Sequence, residues 1–508
     1  MSQPTRSEIL GTLLPGFVGT SLPDWLAALL REGLGGVCLF GGNIESREQT
    51  AALTAAIRAA NPDAIIAIDE EGGDVTRLYY DRGAPYPGNA LLGRIGELAL
   101  TERTARSVGW QLREVGVNVT FAPDADINSN PDNPVIGVRS FGTDPGLVAD
   151  HTAAWVGAVQ ATGVGAAAKH FPGHGDTAQD SHLALPVVGR SLGELREREL
   201  VPFRAAIEAG TELIMTSHIL LPQLDPDRPA TMSAPILRGL LRDELGFTGV
   251  IVSDALDMKG ASGALGIPGA AVQALAAGVD LLCIGTDNSA AQLEEIAGAV
   301  AAAVASGALA AERVADASRR VRLLAERLRS RASAAPLPAS PVPQPEYDLD
   351  EIAGGFDVSA HAREWIAAAG GQYEVVRIES VSNIAVGVAP WGVFAAAAVA
   401  DVVVAPDDGF ETPAVAGSST VGEPPVVEEA RSPVSKRPRG PVAIIGKDLH
   451  RRAYARDYID AARTEHGASV LVIDMGWPGD DRAYADVATF GASRLAGQAL
   501  LRLLGGGA

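Results

Sequence analysis

The amino-acid sequence predicts an α/β protein, an N-terminal (β/α)8 barrel of the TIM type followed by a smaller α/β layered domain. Eight short apolar runs recur within the first 290 residues, the number of strands that closes such a barrel. The segments between them space their apolar residues by three and four and often end in glycine, the pattern of a helix with its C-terminal cap. At 508 residues the chain also exceeds what one hydrophobic core usually supports, so two domains are expected.

In chain order the runs are GTLLPGF, GVCLF, AIIAID, VNVTFAP, VGAAAKH, ELIMTSH, GVIVSD and VDLLCIG. Apolar strands separated by helical stretches such as SLPDWLAALLREG and LVPFRAAIEAG imply a parallel sheet buried on both faces. An open doubly wound sheet is the other arrangement of the same pattern. The strands end at or beside Asp69, Asp124, Lys169 and His170, His218, Asp254 and Asp287. In a barrel all of these surround one mouth, where active sites gather. Any one of them alone reads as a helix N-cap; the set is harder to dismiss.

Residues 1–330 are assigned to the barrel and 348–508 to the second domain. Between them RASAAPLPASPVPQPEY, 331–347, reads as an extended Pro- and Ala-rich linker. Beyond it YEVVRI, DVVVAP, PVAIIG and ASVLVID read as strands, and DLHRRAYARDYIDAARTEH as a helix. Residues 407–441, aperiodic and rich in Pro, Ser and charge, read as a mobile insertion.

A composition 47% hydrophobic and 20% charged, with slightly positive mean hydropathy, is that of an ordinary soluble globular protein. The formal net charge of −21 argues against a general nucleic-acid binder and against docking on anionic membranes. It leaves room for an anionic substrate in a locally basic pocket. The opening MSQPTRSEIL lacks the basic start and apolar core of a secretory signal, and no apolar run reaches the ~18–20 residues of a membrane span. Cys38 and Cys283 each lie in an apolar run, so buried reduced thiols and a cytoplasmic location are expected.

KHFPGHGDTAQDSH, residues 169–182, holds three of the eight histidines. Lys169 and His170 finish strand five, and the remainder reads as a long loop whose glycines and proline suit a flap over the mouth. The spacing of Asp180 and His182 lets the carboxylate take one ring nitrogen and leave the other for substrate, which suits general acid/base work. As a metal site, His170, His174 and His182 lack the close helical pairing of hydrolytic zinc motifs, and no cysteine accompanies them. No metal and no cofactor is therefore expected. GVIVSD delivers Asp254 to the mouth as a nucleophile, base or metal ligand, with Asp257 one helical turn further on. In IDEEGGDVTRL, Asp69 ends strand three, Arg77 can return to the mouth, and Glu70 and Glu71 read as solvated charges. NPVIGVRSFGTDP places Arg139 in a loop, where its planar donor fork suits hydroxyls, carboxylates or phosphates.

Together KHFPGHGDTAQDSH, IDEEGG, GVRSFGTDP and GFTGVIVSDALDM resemble glycoside hydrolase family 3, in its β-N-acetylhexosaminidase (NagZ-like) branch. The resemblance covers roughly residues 10–330, and the linker and second domain are similar to the longer two-domain members. It implies a retaining exo-β-N-acetylglucosaminidase in which Asp254 is the nucleophile and His182, oriented by Asp180, is the acid/base. Asp69, Arg77, Arg139, Lys169 and His170 would then hold the hydroxyls of an N-acetylglucosamine ring. Glu70 stands where many relatives carry Gln, and His174 has no implied role beyond shaping its loop. The implied partner is a small carbohydrate, a cell-wall (peptidoglycan) or chitin fragment, with neither nucleic acid nor membrane. An imidazole accepts a proton without placing negative charge beside the incoming group, so phosphate is a second candidate acceptor and a phosphorylase the alternative reading. A metal-dependent hydrolase and a non-catalytic sugar-binding protein are the remaining classes.

Overall fold

The computed structural model describes residues 3–179, 185–263, 265–338, 340–380, 385–397, 400, 402–405, 426–429 and 440–505. The eight apolar runs all form strands or flank them. In the N-terminal half these are β1 (Leu13–Pro15), β2 (Gly36–Leu39), β3 (Ile65–Ile68), β4 (Val119–Thr120), β5 (Gly165–Phe171) and β6 (Leu213–Thr216). A short antiparallel pair follows, β7 (Leu220–Leu221) with β8 (Asp225–Pro229), and then β9 (Val250–Val252) and β10 (Leu282–Gly285). Strands β2, β3, β4, β5, β6 and β9 pair in that order, all parallel.

Pairing of β1 with β10, the first strand with the last, closes the curl. A single bridge, Val252 with Leu281, joins β9 to β10, and the Gly35 N–H donates to the Leu10 carbonyl (3.0 Å) where the chain enters β2. An open doubly wound sheet cannot bring its first and last elements together in this way. The inside of the curl is packed with Leu14, Cys38, Ile65, Ala67, Val119, Phe121, Ala167, Leu213, Met215, Val250 and Cys283, and helices cover the outside. Both strand faces are therefore dry, which is why these runs show no polar alternation. The two thiols are free and buried.

The 331–347 segment departs from the expected extended tether. The helix Ala311–Ala334 continues four residues into it, since RSRASA favours helix and the first proline comes only at Pro336. The later part packs on the barrel: the Val342 N–H donates to Glu114 (2.6 Å), Gln111 donates to the Pro343 carbonyl (2.9 Å), and the Tyr347 hydroxyl meets Thr104 (3.1 Å).

The C-terminal half adds β11 (Asp357–Val358), β12 (Glu374–Ile378), β13 (Val402–Ala405), β14 (Val426–Glu429), β15 (Val442–Gly446), β16 (Val470–Asp474) and β17 (Val487–Ala488). They form one sheet in the order β11-β17-β16-β15-β12-β13-β14, parallel except for the β11–β17 pair. The four runs expected as strands are its centre. Two-residue β11 and β17 were too short to stand out. Strand β14 lies inside the stretch expected as an aperiodic insertion, of which residues 407–425 and 430–439 fall outside the described residues. The expected helix begins as a tight turn at Leu449–Arg451 and is regular over Ala453–His466.

The second sheet presents loops to the barrel mouth. Arg451 donates to the carbonyls of Asn133 and Pro131 (2.5 Å each), and the Ala492 N–H donates to Asp74 (2.8 Å). Trp477, just beyond β16, and Val138 of the barrel both pack on the cluster of Ala90, Ala485, Ala488 and Phe490, Trp477 lying edge-on to Phe490. Among the described residues no helix is long and apolar enough to cross a membrane.

Candidate active site

The C-terminal ends of the barrel strands surround a cavity of about 310 Å³. Asp69, Arg77, Arg139, Lys169, His170 and Asp254 all line it, so six of the eight expected site residues meet in one place. Asp180 and His182 lie outside the described residues. Glu71, His174, Asp257 and Ala385 complete much of the polar and C-terminal wall.

Each strand end hands over its residue by simple geometry: the ladder stops, and the next side chain turns into the mouth. Asp69 follows β3, and its Oδ1 takes the Lys169 Nζ of β5 at 2.8 Å. The same Nζ stands 2.7 Å from Glu71 Oε1. Glu71 in turn receives Arg139 through two parallel bonds, Nε to Oε2 (3.0 Å) and Nη2 to Oε1 (2.8 Å). Glu71 is thus the carboxylate that joins the two cations, and sequence reading placed it on the surface. Glu70 and Glu71 are in fact both buried. Their partners are distant in sequence, so the local charge run resembles a solvated one.

Burial opposes the charge on Asp69, but Lys169 and Arg77 outweigh it and hold the carboxyl at about 2. Glu71 is likewise held at about 2, burial being overcome by Arg139 and Lys169. Lys169 is raised despite its burial by Asp69 and Glu71. Lys169 and Arg139 are therefore fixed in their charged forms. Arg77 reaches Asp69 only at 3.9 Å, and its Nη2 donates instead to the Ala385 carbonyl at 2.7 Å. That contact comes from the C-terminal half of the chain. The Val388 N–H donates to the Tyr80 hydroxyl (3.1 Å) and seats the same segment on the Arg77 loop.

Glu70 holds the Arg77 loop from beneath. Its Oε2 accepts from Thr76 Oγ1 (2.9 Å) and from the backbone N–H groups of Arg77 (2.9 Å) and Leu78 (3.0 Å). Burial nevertheless pushes its carboxyl from 4.5 up to about 7. Between those two pH values the folded chain keeps a proton that the unfolded chain has released, so stability falls as pH rises through this window. Glu70→Gln keeps an oxygen acceptor and abolishes the titration. It is expected to be more stable than wild type near pH ~8, by up to about 3 kcal/mol, with the difference closing toward pH ~4.5. Urea denaturation at the two pH values measures this, and an equal difference at both would assign the titration elsewhere.

Asp254 follows β9 and is half-buried, its Oδ1 accepting from the Ala255 N–H at 2.8 Å. The backbone around it is pinned. Ser253 Oγ accepts from the Cys283 N–H (3.0 Å), and His218 Nε2 donates to the Ala255 carbonyl (3.0 Å) while its Nδ1 meets Thr231 (2.9 Å). His218 is thus a buried brace behind Asp254 and does not line the cavity. Asp257 lies one turn beyond Asp254, exposed, with its Oδ2 accepting from the Thr286 N–H (3.2 Å). Asp287 is exposed and does not line the cavity.

The loop after β5 is shaped by its glycines and by His174. At Gly175 a Cβ would overlap the Ile127 carbonyl oxygen, so only glycine lets the loop lie against the segment after β4. His174 Nδ1 meets Thr177 Oγ1 at 2.9 Å, the loop-shaping bond expected of it. Asn133 donates to the carbonyls of His174 (2.9 Å) and Gly175 (3.0 Å).

Asp124 and Asp126 follow β4, and with His170 they bring one ligand atom each within 4.8 Å of one another. A cation already serves this group. Arg139 Nη2 lies 3.5 Å from Asp124 Oδ2 and 3.4 Å from His170 Nε2, and His170 Nδ1 is engaged by Asp126 Oδ2 at 2.7 Å. Burial, reinforced by Asp126, pushes Asp124 well above the usual carboxylate range. Burial and the facing Arg139 push His170 well below the ordinary imidazole value, so its ring is neutral. Neither aspartate was singled out from sequence as a site residue beyond Asp124 ending a strand; the alternating DAD after β4 was the available signal.

The chain is similar to known proteins over the barrel and, in solved structures, over its whole length. Residues 23–324 match the glycosyl hydrolase family 3 N-terminal domain. A beta-hexosaminidase A of Pseudoalteromonas piscicida is 41% identical over 285 residues, 52% of this chain and 48% of that protein, so the match spans about half the length of that relative. A beta-hexosaminidase of Stenotrophomonas maltophilia is 39% identical over 286 residues, 54% of this chain and 82% of that protein. The solved structure of a glycoside hydrolase family 3 beta-N-acetylglucosaminidase from a Paenibacillus species is similar over 100% of this chain and 98% of its own, with a TM-score of 0.78 and 27% identity. With a family match over most of the barrel and a full-length structural counterpart, the chain belongs to glycosyl hydrolase family 3.

Proposed function

We propose that the protein is a retaining exo-β-N-acetylglucosaminidase that removes terminal N-acetylglucosamine through a covalent intermediate on Asp254. The observation that carries this reading is that Asp254 lines one cavity together with Asp69, Lys169, Arg139, His170 and Arg77. At about 310 Å³ the cavity is at the small end of ligand pockets, the size for a single sugar ring and hence for exo action. The fixed charges of Lys169, Arg139 and Asp69 offer donors and acceptors for ring hydroxyls.

In this reading an Asp254 oxygen attacks the anomeric carbon as the bond to the leaving oxygen breaks, and His182, oriented by Asp180, gives that oxygen its proton. His182 then takes a proton from water, whose oxygen replaces Asp254 at the anomeric carbon. No step draws on a metal or cofactor. The family relationship and the names of the relatives support N-acetylglucosaminides as substrates. We extend the reading to cell-wall or chitin fragments and to the cytoplasm, a reducing compartment that suits the free thiols of Cys38 and Cys283. We also assign residues 1–330 and 348–508 to separate domains joined by 331–347, the second completing the mouth through Ala385.

The test uses p-nitrophenyl N-acetyl-β-glucosaminide with and without phosphate. His182→Ala is expected to lose about 10²–10⁴-fold on an unactivated disaccharide and far less on the nitrophenyl substrate, whose leaving group needs little protonation. Equal losses on both would remove His182 from the acid role. Sugar phosphate as the main product would replace hydrolysis by phosphorolysis.

A further inference from the structure

We infer that Asp126 is a positioning residue for the sugar site, fixing His170 in the tautomer that presents a bare Nε2 to the cavity as an acceptor for a sugar hydroxyl. The inference rests on the proposed function for the sugar and on the following geometry for the tautomer. Asp126 is fully buried, and three donors meet on its carboxylate in four contacts. Its Oδ2 takes His170 Nδ1 at 2.7 Å, its Oδ1 takes the His174 N–H at 2.6 Å, and the His170 N–H reaches both oxygens at 3.2 Å.

Two of these donors are backbone groups and cannot become acceptors, so they hold the carboxylate in place and leave Oδ2 to accept from the ring. The proton of the neutral imidazole is thereby placed on Nδ1. Across the ring, Nε2 is left as an acceptor that faces Arg139 Nη2 at 3.4 Å, on a residue lining the cavity. Burial with Arg139 nearby keeps the ring from taking a second proton. A ligand hydroxyl that replaces or shares the long Arg139 contact must donate to His170. Asp126 so decides which partner His170 can recognise, without itself lining the cavity.

Asp126→Asn distinguishes this role from a merely structural one. The side chain then carries one acceptor and one donor. The His174 N–H cannot move its proton, so the amide oxygen must face it and the NH2 must face His170 Nδ1. The imidazole can adapt by moving its proton to Nε2, where it opposes the Arg139 guanidinium and offers a donor to the sugar.

The experiment records ¹⁵N–¹H correlation spectra of the histidine side chains in the full-length, ligand-free protein, with His170 assigned through His170→Gln. The inhibition constant of N-acetylglucosamine is measured alongside, for wild type and Asp126→Asn, each also in a His170→Ala background. The expected result is Nδ1–H in wild type and Nε2–H in Asp126→Asn. Affinity should fall about 10-fold or more in the wild-type background and less than about 2-fold without the imidazole. An Nε2–H ring in wild type, an unchanged tautomer in Asp126→Asn, or an equal affinity loss in both backgrounds would each overturn the proposal. The tautomer is read without ligand, so failure of N-acetylglucosamine to bind wild type would count against the proposed substrate and not against the Asp126–His170 assignment.

Discussion

Asp254→Ala is expected to abolish turnover, with kcat falling on the order of 10⁴-fold or more while the fold is retained. The reason is chemical: a retaining displacement has no route to its first intermediate without the attacking carboxylate, and among the described residues the cavity holds no equivalent in the same place. Asp257 is the nearest rival by sequence, yet it is exposed and accepts a backbone bond from Thr286. Asp69 and Glu71 are committed to Lys169 and Arg139. The stability cost should be small, because Asp254 is only half-buried and the bonds of Ser253 to the Cys283 N–H and of His218 to the Ala255 carbonyl pin the neighbouring backbone. Steady-state kinetics on the nitrophenyl substrate, with urea denaturation as the control, separates loss of chemistry from loss of fold. Retention of more than about a tenth of wild-type kcat would remove Asp254 from the nucleophile role.

Glu71→Ala is the second large effect, and it falls on stability first. Among the described residues, removing this carboxylate leaves the longer contact to Asp124 as the ion pair of Arg139, and the Asp69 contact as that of Lys169. Breaking a buried ion pair from one side leaves an uncompensated charge and costs about 3–5 kcal/mol. Lys169 and Arg139 would also lose their fixed positions, so KM should rise together with the loss of stability. Glu71 is held at about 2 in the fold against 4.5 in its ordinary state, so its stabilising contribution is present above pH ~4.5 and lost as pH falls toward ~2. The deficit of Glu71→Ala against wild type is therefore expected to shrink on acidification. Denaturation midpoints within about 1 kcal/mol of wild type at neutral pH would show that the ion network adds little.

The barrel was legible in the sequence because its strands are buried on both faces, and continuous apolar runs leave few other readings. Closure was not written in any one run; it appears only in the pairing of β1 with β10. The site divides in the same way. Asp69, Lys169, His170 and Asp254 could be placed because each sits directly at a strand end, and Arg77 and Arg139 because an arginine in a Gly-rich loop has few other uses. Glu71 could not, because what makes it important is Lys169 and Arg139, 98 and 68 positions away. His218 stood at a strand end like the others, but its ring turns inward to Thr231 and the Ala255 carbonyl. The Ala385 contact to Arg77 spans 308 positions and joins the two halves of the chain, which no local pattern could announce. Asp180 and His182 are read from their spacing and motif alone.

The central claim is that the sugar is carried on Asp254. Acid quenching of the enzyme during turnover of a slow N-acetylglucosaminide, followed by proteolysis and peptide mass spectrometry, tests it directly. The expected result is one N-acetylhexosaminyl group on the peptide bearing Asp254, located at that residue by fragmentation and missing from Asp254→Ala. An adduct on Asp257, Asp69 or Glu71, or undiminished turnover by Asp254→Ala with no adduct at all, would contradict it.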